Sequence, residues 1–270
     1  MIGLYRALAP ISERAWQRVE QEAQEVLKLH LAGRRLFDFQ GPLGWDHSAV
    51  DLGSVEPLER AAPKGASIQR RRVRPLIELR VPFQLERREL ERIDRGAASV
   101  DLDPLRDAAR VFAAAEDTAL FEGYADADIP GLLTDAKNDG VALGPAAEQL
   151  PDAVSEALEQ LRQAGVAGPY AVALGPSAYA ALDRTIGDGG YPVKKHVQRL
   201  VDGPLVWAPS LHGGVVVSLR GGDFEFVCGR DASIGYLSHD EKQVRLYLEE
   251  SFTVEFNGPE AAVPLLTAAD

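Results

Sequence analysis

The stretch RGGDFEFVCGRDASIGY (220–236), followed by VRLYLEESFT (244–253), decides how this chain is interpreted. Apolar residues alternate with polar ones in the second segment, where Val244, Leu246 and Leu248 share one face, and this is the period of a β-strand. The pair Gly221-Gly222 supplies the positive φ angles that a hairpin turn needs. The predicted elements of this region are the strands Val215–Leu219, Phe224–Cys228, Ser233–Tyr236, Val244–Glu249 and Phe252–Phe256, with turns at 220–223 and 229–231. A region whose most distinctive residues form strands and turns, and not catalytic groups, is typical of a structural protein.

Outside that region the pattern predicts helices and one long excursion. Ser12 is a typical N-cap for a helix that runs to about Leu31, and Asp103-Pro104 is typical of the start of a second long helix. Residues 48–82 carry scattered prolines and no helical period, so they predict an extended, two-stranded excursion. The remaining predicted elements are the helices Glu13–Leu31, Asp103–Glu122, Pro151–Ala164, Ser177–Ile186 and Pro192–Leu200 and the buried strand Tyr170–Leu174.

The charge of the chain is unevenly distributed. The 270 residues carry a formal net charge of −12, which argues against general nucleic-acid binding. Between Glu59 and Arg80 lie seven basic and two acidic residues, so that stretch carries +5 and the remainder −17. Three interpretations stay open for the basic stretch: contact with the acidic surface of an identical subunit, a solvated strand, or nucleic-acid binding. The first is favoured, because no aromatic residues are interleaved with the arginines.

Motifs that would indicate catalysis are weak. The text around Ser177 lacks the second glycine of a nucleophile elbow, so Ser177 is predicted to cap the helix that follows. The five histidines have no metal-binding spacing, and Glu116 and Asp117 diverge by about 100° on a helix. The single cysteine, Cys228, is predicted to be a buried, inert thiol. These patterns predict neither a catalytic site nor a metal site.

The strand region also resembles the C-terminal part of encapsulin shell proteins of the linocin-like family, family 1. Motifs nearer the N-terminus and in the middle of the chain agree in order, so the resemblance covers essentially all 270 residues. Those motifs are Leu8-Ala9-Pro10-Ile11-Ser12, Trp16, His30–Arg35, Gly41-Pro42, Gly44-Trp45, Ala115-Glu116-Asp117, Phe121–Tyr124 and Gly190-Tyr191-Pro192.

The resemblance implies an α+β fold of the tailed-phage capsid (HK97) type. Its body domain would comprise residues 1–47, 83–130 and 223–270. Its extended loop, 48–82, would lie on the adjacent subunit and present Arg70, Arg71, Arg72 and Arg74. Its apical domain, 131–222, would gather around five-fold axes.

Two functional regions are also implied. Encapsulins hold a C-terminal cargo peptide in an interior groove, for which we expect the residues Leu27, Leu31, Arg34, Asp38, Ile234, Tyr236 and Phe252. The alternative is core packing of the apolar members and an ion pair between Arg34 and Asp38. A five-fold pore loop would comprise Gly187, Asp188, Gly189, Gly190 and Tyr191, with Asp188 forming a carboxylate ring that attracts cations. No tryptophan lies in 48–100, so flavin binding is not carried over, and no cofactor is expected.

The function that the resemblance implies is a self-assembling shell of about 60 copies that encloses a cargo protein. The expected cargo is a dye-decolorising peroxidase or a ferritin-like protein, which implies iron storage or oxidative defence. Charged residues near the N-terminus and the absence of long apolar runs predict a cytoplasmic protein without a membrane span. One rival interpretation is a DNA-packaging phage capsid protein, which the net negative charge disfavours. The other is a soluble enzyme, which the lack of catalytic motifs disfavours.

Overall fold

A computed structural model describes residues 3–58, 63, 65–144, 146–186 and 190–267. Within these ranges the chain forms two mixed sheets, one separate two-stranded ribbon and six α-helices. The helices are α1 (Glu13–His30), α2 (Arg87–Asp94), α3 (Asp103–Phe121), α4 (Leu150–Gln163), α5 (Pro176–Arg184) and α6 (Val193–Leu200). The strands are β1 (Asp38–Gln40), β2 (Ala49–Pro57), β3 (Gln69–Pro75), β4 (Ile77–Glu86), β5 (Val141–Ala142), β6 (Tyr170–Leu174), β7 (Leu205–Trp207), β8 (Gly214–Ser218), β9 (Phe224–His239), β10 (Gln243–Phe256) and β11 (Ala262–Leu266).

The first sheet has the strand order β1-β9-β10-β4 and lies against α3. Strand β10 pairs antiparallel with both β9 and β4, so it is central and its residues are buried over most of its length. Helix α1 packs beside α3, and its N-terminus is capped as predicted, because the Ser12 hydroxyl accepts a hydrogen bond from Ala15 N at 3.1 Å. The predicted helices α1 and α3 are thereby confirmed.

The predicted turn at 229–231 is wrong, and so is the division of 244–256 into two strands, Val244–Glu249 and Phe252–Phe256. Each of these regions is one continuous strand, β9 or β10, and β-bulges absorb the irregular residues. The Arg230 amide donates to Ser251 Oγ at 2.9 Å, and a Cβ at Gly229 would lie 2.6 Å from the same oxygen. Glycine therefore permits a close approach of two strands here instead of a reversal of the chain.

The Gly221-Gly222 turn has the predicted positive φ angles, +86° and +80°. It does not close a hairpin, however, because it joins β8 of the second sheet to β9 of the first. The Asp38 carboxylate stabilises this crossing by accepting a hydrogen bond from Gly222 N at 2.6 Å. The turn is thus a connection between two sheets.

The second sheet has the order β5-β11-β8-β6-β7 and packs against α4 and α5. Strand β11 lies between β5 and β8, so 262–266 joins the sheet of the predicted apical domain and not the body to which 223–270 was assigned. Residues 77–82, assigned to the excursion, form part of β4 in the first sheet. Pro82 is compatible with this position because β4 is an edge strand.

The core forms two apolar clusters along the first sheet. One cluster lies between α1, α3 and the sheet and includes Leu105, Phe112 and Leu246. The other surrounds the second sheet and continues to the far end of α3, where it includes Phe121 and Phe226.

The prediction that Ser177 caps α5 is wrong. Gly175 occupies the N-cap position, and no side chain forms a capping hydrogen bond there. No helix in the described ranges is long and apolar enough to cross a membrane.

Candidate functional site

A partly buried ionic cluster joins the end of α1, α3 and the strands β9 and β10, and we call it the Arg34 cluster: Arg34, Glu116, Asp231 and Glu250. The Arg34 Nε donates to both oxygens of Glu116, at 2.9 and 3.0 Å. Its Nη2 donates to Glu116 Oε2 at 2.7 Å and to Glu250 Oε2 at 2.6 Å, and its Nη1 donates to Asp231 Oδ1 at 2.6 Å. The planar fork of a guanidinium suits several carboxylates at once, which a lysine ammonium would not match.

The backbone around Gly33 brings Arg34 to this position. A short 3-10 turn, Gly33–Arg35, follows α1 and lies directly against α3. The Asp117 carboxylate accepts hydrogen bonds from Ala32 N at 3.0 Å and Gly33 N at 2.9 Å. A Cβ at Gly33 would lie 2.4 Å from Leu120 Cδ1, so a larger residue here would require the Leu120 side chain to shift. Glu116 and Asp117 do diverge as predicted: the first binds Arg34 and the second binds backbone.

The Arg34 cluster contains more acid than base. Glu116 and Glu250 are buried and share Arg34 as their cation, and Asp117 is buried next to Glu116 in the sequence with only backbone partners. Burial, and then the neighbouring charge of Glu116, raises the pKa of Glu250 well above its usual range. Burial also raises the pKa of Asp117 to about 7, although its two backbone hydrogen bonds act in the opposite direction. The Asp117 and Glu250 carboxyl groups are therefore partly protonated at neutral pH.

The structure brings four of the predicted groove residues together and separates three. Leu27, Leu31, Ile234 and Tyr236 belong to or pack against the same apolar cluster. Phe252 belongs to the other cluster, where its ring stacks on Phe226 at 5.0 Å, while Arg34 is part of the Arg34 cluster and Asp38 is at the turn between the sheets. The ion pair between Arg34 and Asp38, which was part of the alternative interpretation, does not form. The groove itself stays a prediction.

An open cleft of about 620 Å³ lies beside these residues and was missed by the sequence analysis. It is lined by Leu4, Tyr5 and Trp16 and by the ion pair of Arg6 with Glu20. The N-terminal segment that forms its wall is fixed to the first sheet, because Tyr236 N donates to Leu4 O at 2.8 Å and Tyr247 Oη donates to Gly3 O at 3.0 Å. The signal in the sequence was the apolar character of Leu4, Tyr5 and Leu8.

The predicted pore loop falls mainly on Gly187, Asp188 and Gly189, which lie outside the described residues. The chain on either side of them is held together by a bridge between Ile186 and Pro192. Gly190 has a φ of +80°, and Tyr191 is exposed with the Arg199 guanidinium 5.4 Å from the centre of its ring.

The four predicted contact arginines lie on the ribbon of β2 and β3, which we call the arm. The Arg70 guanidinium forms an ion pair with Glu56 of the same ribbon. The Arg74 Nη1 donates to Val254 O at 2.6 Å, so Arg74 is tied to the body of its own chain. Arg71 and Arg72 are exposed.

Groups that would indicate catalysis are not assembled in the described part of the chain. No three His, Cys, Asp or Glu residues there are close enough to hold a metal ion. Cys228 is buried, as predicted, and burial is the main reason why its pKa is raised to about 12. A thiol in that environment stays protonated and is a poor nucleophile.

Comparison with known proteins identifies the family. The Linocin_M18 family, described as "Encapsulating protein for peroxidase", matches residues 1–253. A type 1 encapsulin shell protein of Rhodospirillum rubrum is 49% identical, and the match covers 98% of this chain and 96% of that protein.

Solved structures show the fold. A virus-like particle from Pyrococcus furiosus superposes with a TM-score of 0.63 and 14% identity, over 93% of this chain and 99% of that one. The capsid of the Myoviridae phage XM1 does so with a TM-score of 0.56 and 11% identity, over 87% of this chain and 90% of that one. The predicted phage-capsid-like α+β fold is confirmed. The chain belongs to the encapsulin shell protein family, and it is a structural subunit of a capsid-like compartment.

Proposed function

We propose that about 60 copies of this chain close into an icosahedral shell that encloses a cargo protein in the cytoplasm. The observation that carries the proposal is the 49% identity with a type 1 encapsulin shell protein along nearly the whole of both chains. The family description supports a peroxidase as cargo, and a ferritin-like protein is the alternative. The compartment would then serve oxidative defence or iron storage.

Assembly and loading need no chemistry by the shell itself. The shell closes because each copy presents the same contacts, so the interfaces repeat by symmetry. A cargo protein carrying a short C-terminal peptide binds inside, and many equivalent grooves raise its effective concentration. Leu27, Leu31 and Ile234 are buried in one apolar cluster, and Tyr236, which is half-buried and packs against it, is the one of these four that a peptide can reach.

Cargo loading is tested by co-expressing the shell with a dye-decolorising peroxidase, with and without the peroxidase's C-terminal peptide. We expect co-purification only when the peptide is present. Tyr236→Ala in the shell should reduce the loaded peroxidase about tenfold, because an aromatic contact is a typical anchor. Leu237→Ala changes an exposed neighbour and serves as the matched control. Equal loading without the peptide would contradict the proposal.

The pore proposal rests on Asp188, which would place one carboxylate per subunit around a five-fold axis. We expect Asp188→Lys to slow the uptake of Fe²⁺ into assembled shells about tenfold, since a cationic ring repels a cation. Stopped-flow quenching of an enclosed dye measures this rate. Asp188→Asn should give an intermediate rate. Unchanged uptake by the lysine variant, with assembly intact, would exclude the carboxylate ring.

The phage capsid interpretation has the fold in its favour, because the solved capsids share it. The net charge of −12 opposes it, since packaged DNA needs a less acidic lining. The ratio of absorbance at 260 and 280 nm of purified particles distinguishes the two. A nucleic-acid spectrum that survives nuclease treatment would favour the phage function.

A further inference from the structure

The face of α1 that lines the open cleft of about 620 Å³ carries a tryptophan between two acids. Glu13, Trp16 and Glu20 are spaced by three and four residues, so they lie on one face of the helix. An indole ring and a nearby carboxylate both attract a cationic side chain. The cleft therefore has the chemistry of a site for a lysine or an arginine.

The chain places one of its own cations at this position. Arg6 forms an ion pair with Glu20, and its guanidinium carbon lies 4.2 Å from the centre of the Trp16 ring. Only 22% of the Arg6 side chain is exposed, and Trp16 is buried beneath it. Arg6 thus occupies the site that a cationic side chain of a bound peptide would need.

The segment that carries Arg6, which we call the N-terminal strap (residues 3–9), contains a strained residue. Tyr5 has a φ of +50° and a ψ of +24°, in the left-handed region that is costly for an aromatic residue. Tyr5 gains no burial from this conformation, because it is 62% exposed. The contacts on either side hold it: Leu4 O accepts a hydrogen bond from Tyr236 N at 2.8 Å, and Arg6 is bound to α1. Opening of the strap would relieve this strain.

We propose that the N-terminal strap is autoinhibitory: Arg6 fills a cation site on α1, and a lysine or arginine of the cargo peptide takes that site when the strap opens. The inference rests on the proposed function, in which the peptide binds beside Tyr236. A cationic residue is the occupant because the described lining of the cleft contains two acids, Glu13 and Glu20, and Arg6 as its one base. Because Leu4 O then leaves Tyr236 N, that amide becomes free to donate to the peptide backbone.

Hydrogen exchange of the full-length protein without cargo tests whether the strap opens. Arg6→Met keeps the apolar stem but removes the ion pair and the contact with the ring, which together are worth about a factor of ten. We therefore expect the Tyr236 amide to exchange about tenfold faster in this variant, since its rate follows the open fraction. Arg14→Met is the matched control, because Arg14 is an exposed arginine of α1 that does not line the cleft; it should exchange like the wild type.

Two substitutions of Tyr5 test the role of strain. Glycine adopts a φ of +50° without steric cost, so Tyr5→Gly should stabilise the closed strap and slow exchange of the Tyr236 amide about threefold. Tyr5→Ala removes the same ring but keeps the steric cost, so it should not slow the exchange. Exchange that is faster in the glycine variant than in the alanine variant would contradict the proposal.

Cargo loading tests the occupant of the cation site. Each shell variant is co-expressed with a limiting amount of a dye-decolorising peroxidase that carries its own C-terminal peptide. We expect Arg6→Met to load about threefold more peroxidase than the wild type, because the competing cation is gone. Adding Glu20→Gln to Arg6→Met should cancel this gain, because the peptide's cation then loses its carboxylate. Replacing every lysine and arginine of the peptide by glutamine should cause a similar loss.

The two losses should not add, since they remove the two partners of one contact. Additive losses would overturn the proposal, and so would an Arg6→Met shell that has the unfolding midpoint of the wild type but loads no more peroxidase. A wild type that loads no peroxidase at all would refute the proposed function instead. The exchange rates of the Tyr236 amide would still show whether the strap opens.

Discussion

Replacing Arg34 with methionine is expected to lower the free energy of unfolding by about 3–5 kcal/mol, the largest effect of any single change considered for this protein. The substitution keeps most of the apolar stem but removes the cation that Glu116 and Glu250 share. Both side chains are fully buried, so the Glu116 carboxylate would lose its counter-charge and Glu250 its charged hydrogen-bond donor in a medium that solvates them poorly. Guanidinium denaturation at a fixed protein concentration measures the loss.

Arg35→Met is the matched control. Arg35 is the next residue, is exposed, and donates to Lys28 O at 2.7 Å. Its replacement should change the free energy of unfolding by no more than about 0.5 kcal/mol. Equal effects of the two substitutions would mean that the Arg34 cluster contributes nothing specific. The loss in the Arg34 variant should also shrink toward acid pH, where its stranded carboxylates become protonated.

Glu250→Gln is expected to make the protein more stable than the wild type at alkaline pH. The native pKa values of Glu250 and Asp117 are raised, so the native state keeps protons that the unfolded state has already released. Stability from these groups is therefore lost as pH rises from about 4, the usual carboxyl pKa, through their raised native pKa values, about 7 for Asp117. Each unit by which a native pKa is raised corresponds to about 1.4 kcal/mol of this loss.

Glutamine at position 250 does not ionise, so the variant does not lose the part of the free energy of unfolding that Glu250 costs the wild type as pH rises. The amide of this glutamine keeps an oxygen that can accept from Arg34 Nη2, as Glu250 Oε2 does, and it has no proton to release. Unfolding profiles from pH 5 to 9 should show a flatter decline for the variant, with the difference from wild type growing as pH rises. A variant that is less stable than wild type by the same amount at every pH would show that Glu250 is ionised in the native state.

Glu249→Gln is the control for this comparison, because Glu249 is adjacent and equally buried but lies on the other face of β10. Its carboxylate binds Arg230 Nη1 at 2.9 Å and Arg80 Nε at 2.8 Å. Arg80 and Arg230 both lose a charged partner in that variant, so it should be destabilised by about 2–4 kcal/mol at neutral pH. The same chemical change at neighbouring positions is thus expected to have opposite signs.

The sequence was sufficient for the elements whose signals are local. Helix α1 could be predicted from the Ser12 cap and its apolar stripe, and β6 from a short apolar run. The continuity of β9 and β10 could not be predicted, because a bulge depends on what lies across the sheet. Gly229 indicates a turn in the sequence, yet in the fold it provides room for Ser251 of the neighbouring strand.

The Arg34 cluster was beyond prediction for a similar reason. Its ligands lie 82, 197 and 216 residues from Arg34 along the chain, so no spacing could relate them. A partial signal existed in α3, where Glu116 falls on the apolar stripe between Phe112 and Leu120. A charged residue at a core position predicts a buried partner of opposite charge, but not which one.

The register of the arm could not be predicted from composition. Four arginines in a short stretch favoured an electrostatic contact with a neighbouring subunit, and that contact stays a prediction. The pairing of β2 with β3 places Arg70, Arg72 and Arg74 on one face, and acidic groups of the same chain line a cleft together with Arg72 and Arg74. Only the pairing of the two strands shows which arginines share a face.

The central claim is that this chain assembles into a closed shell, and the most direct test measures mass and shape on one sample. Light scattering after size exclusion should give about 1.75 MDa, the mass of about 60 copies of a 29.2 kDa chain. Negative-stain microscopy of the same peak should show uniform hollow spheres. A monomer or small oligomer under every condition of salt, pH and concentration would contradict the account.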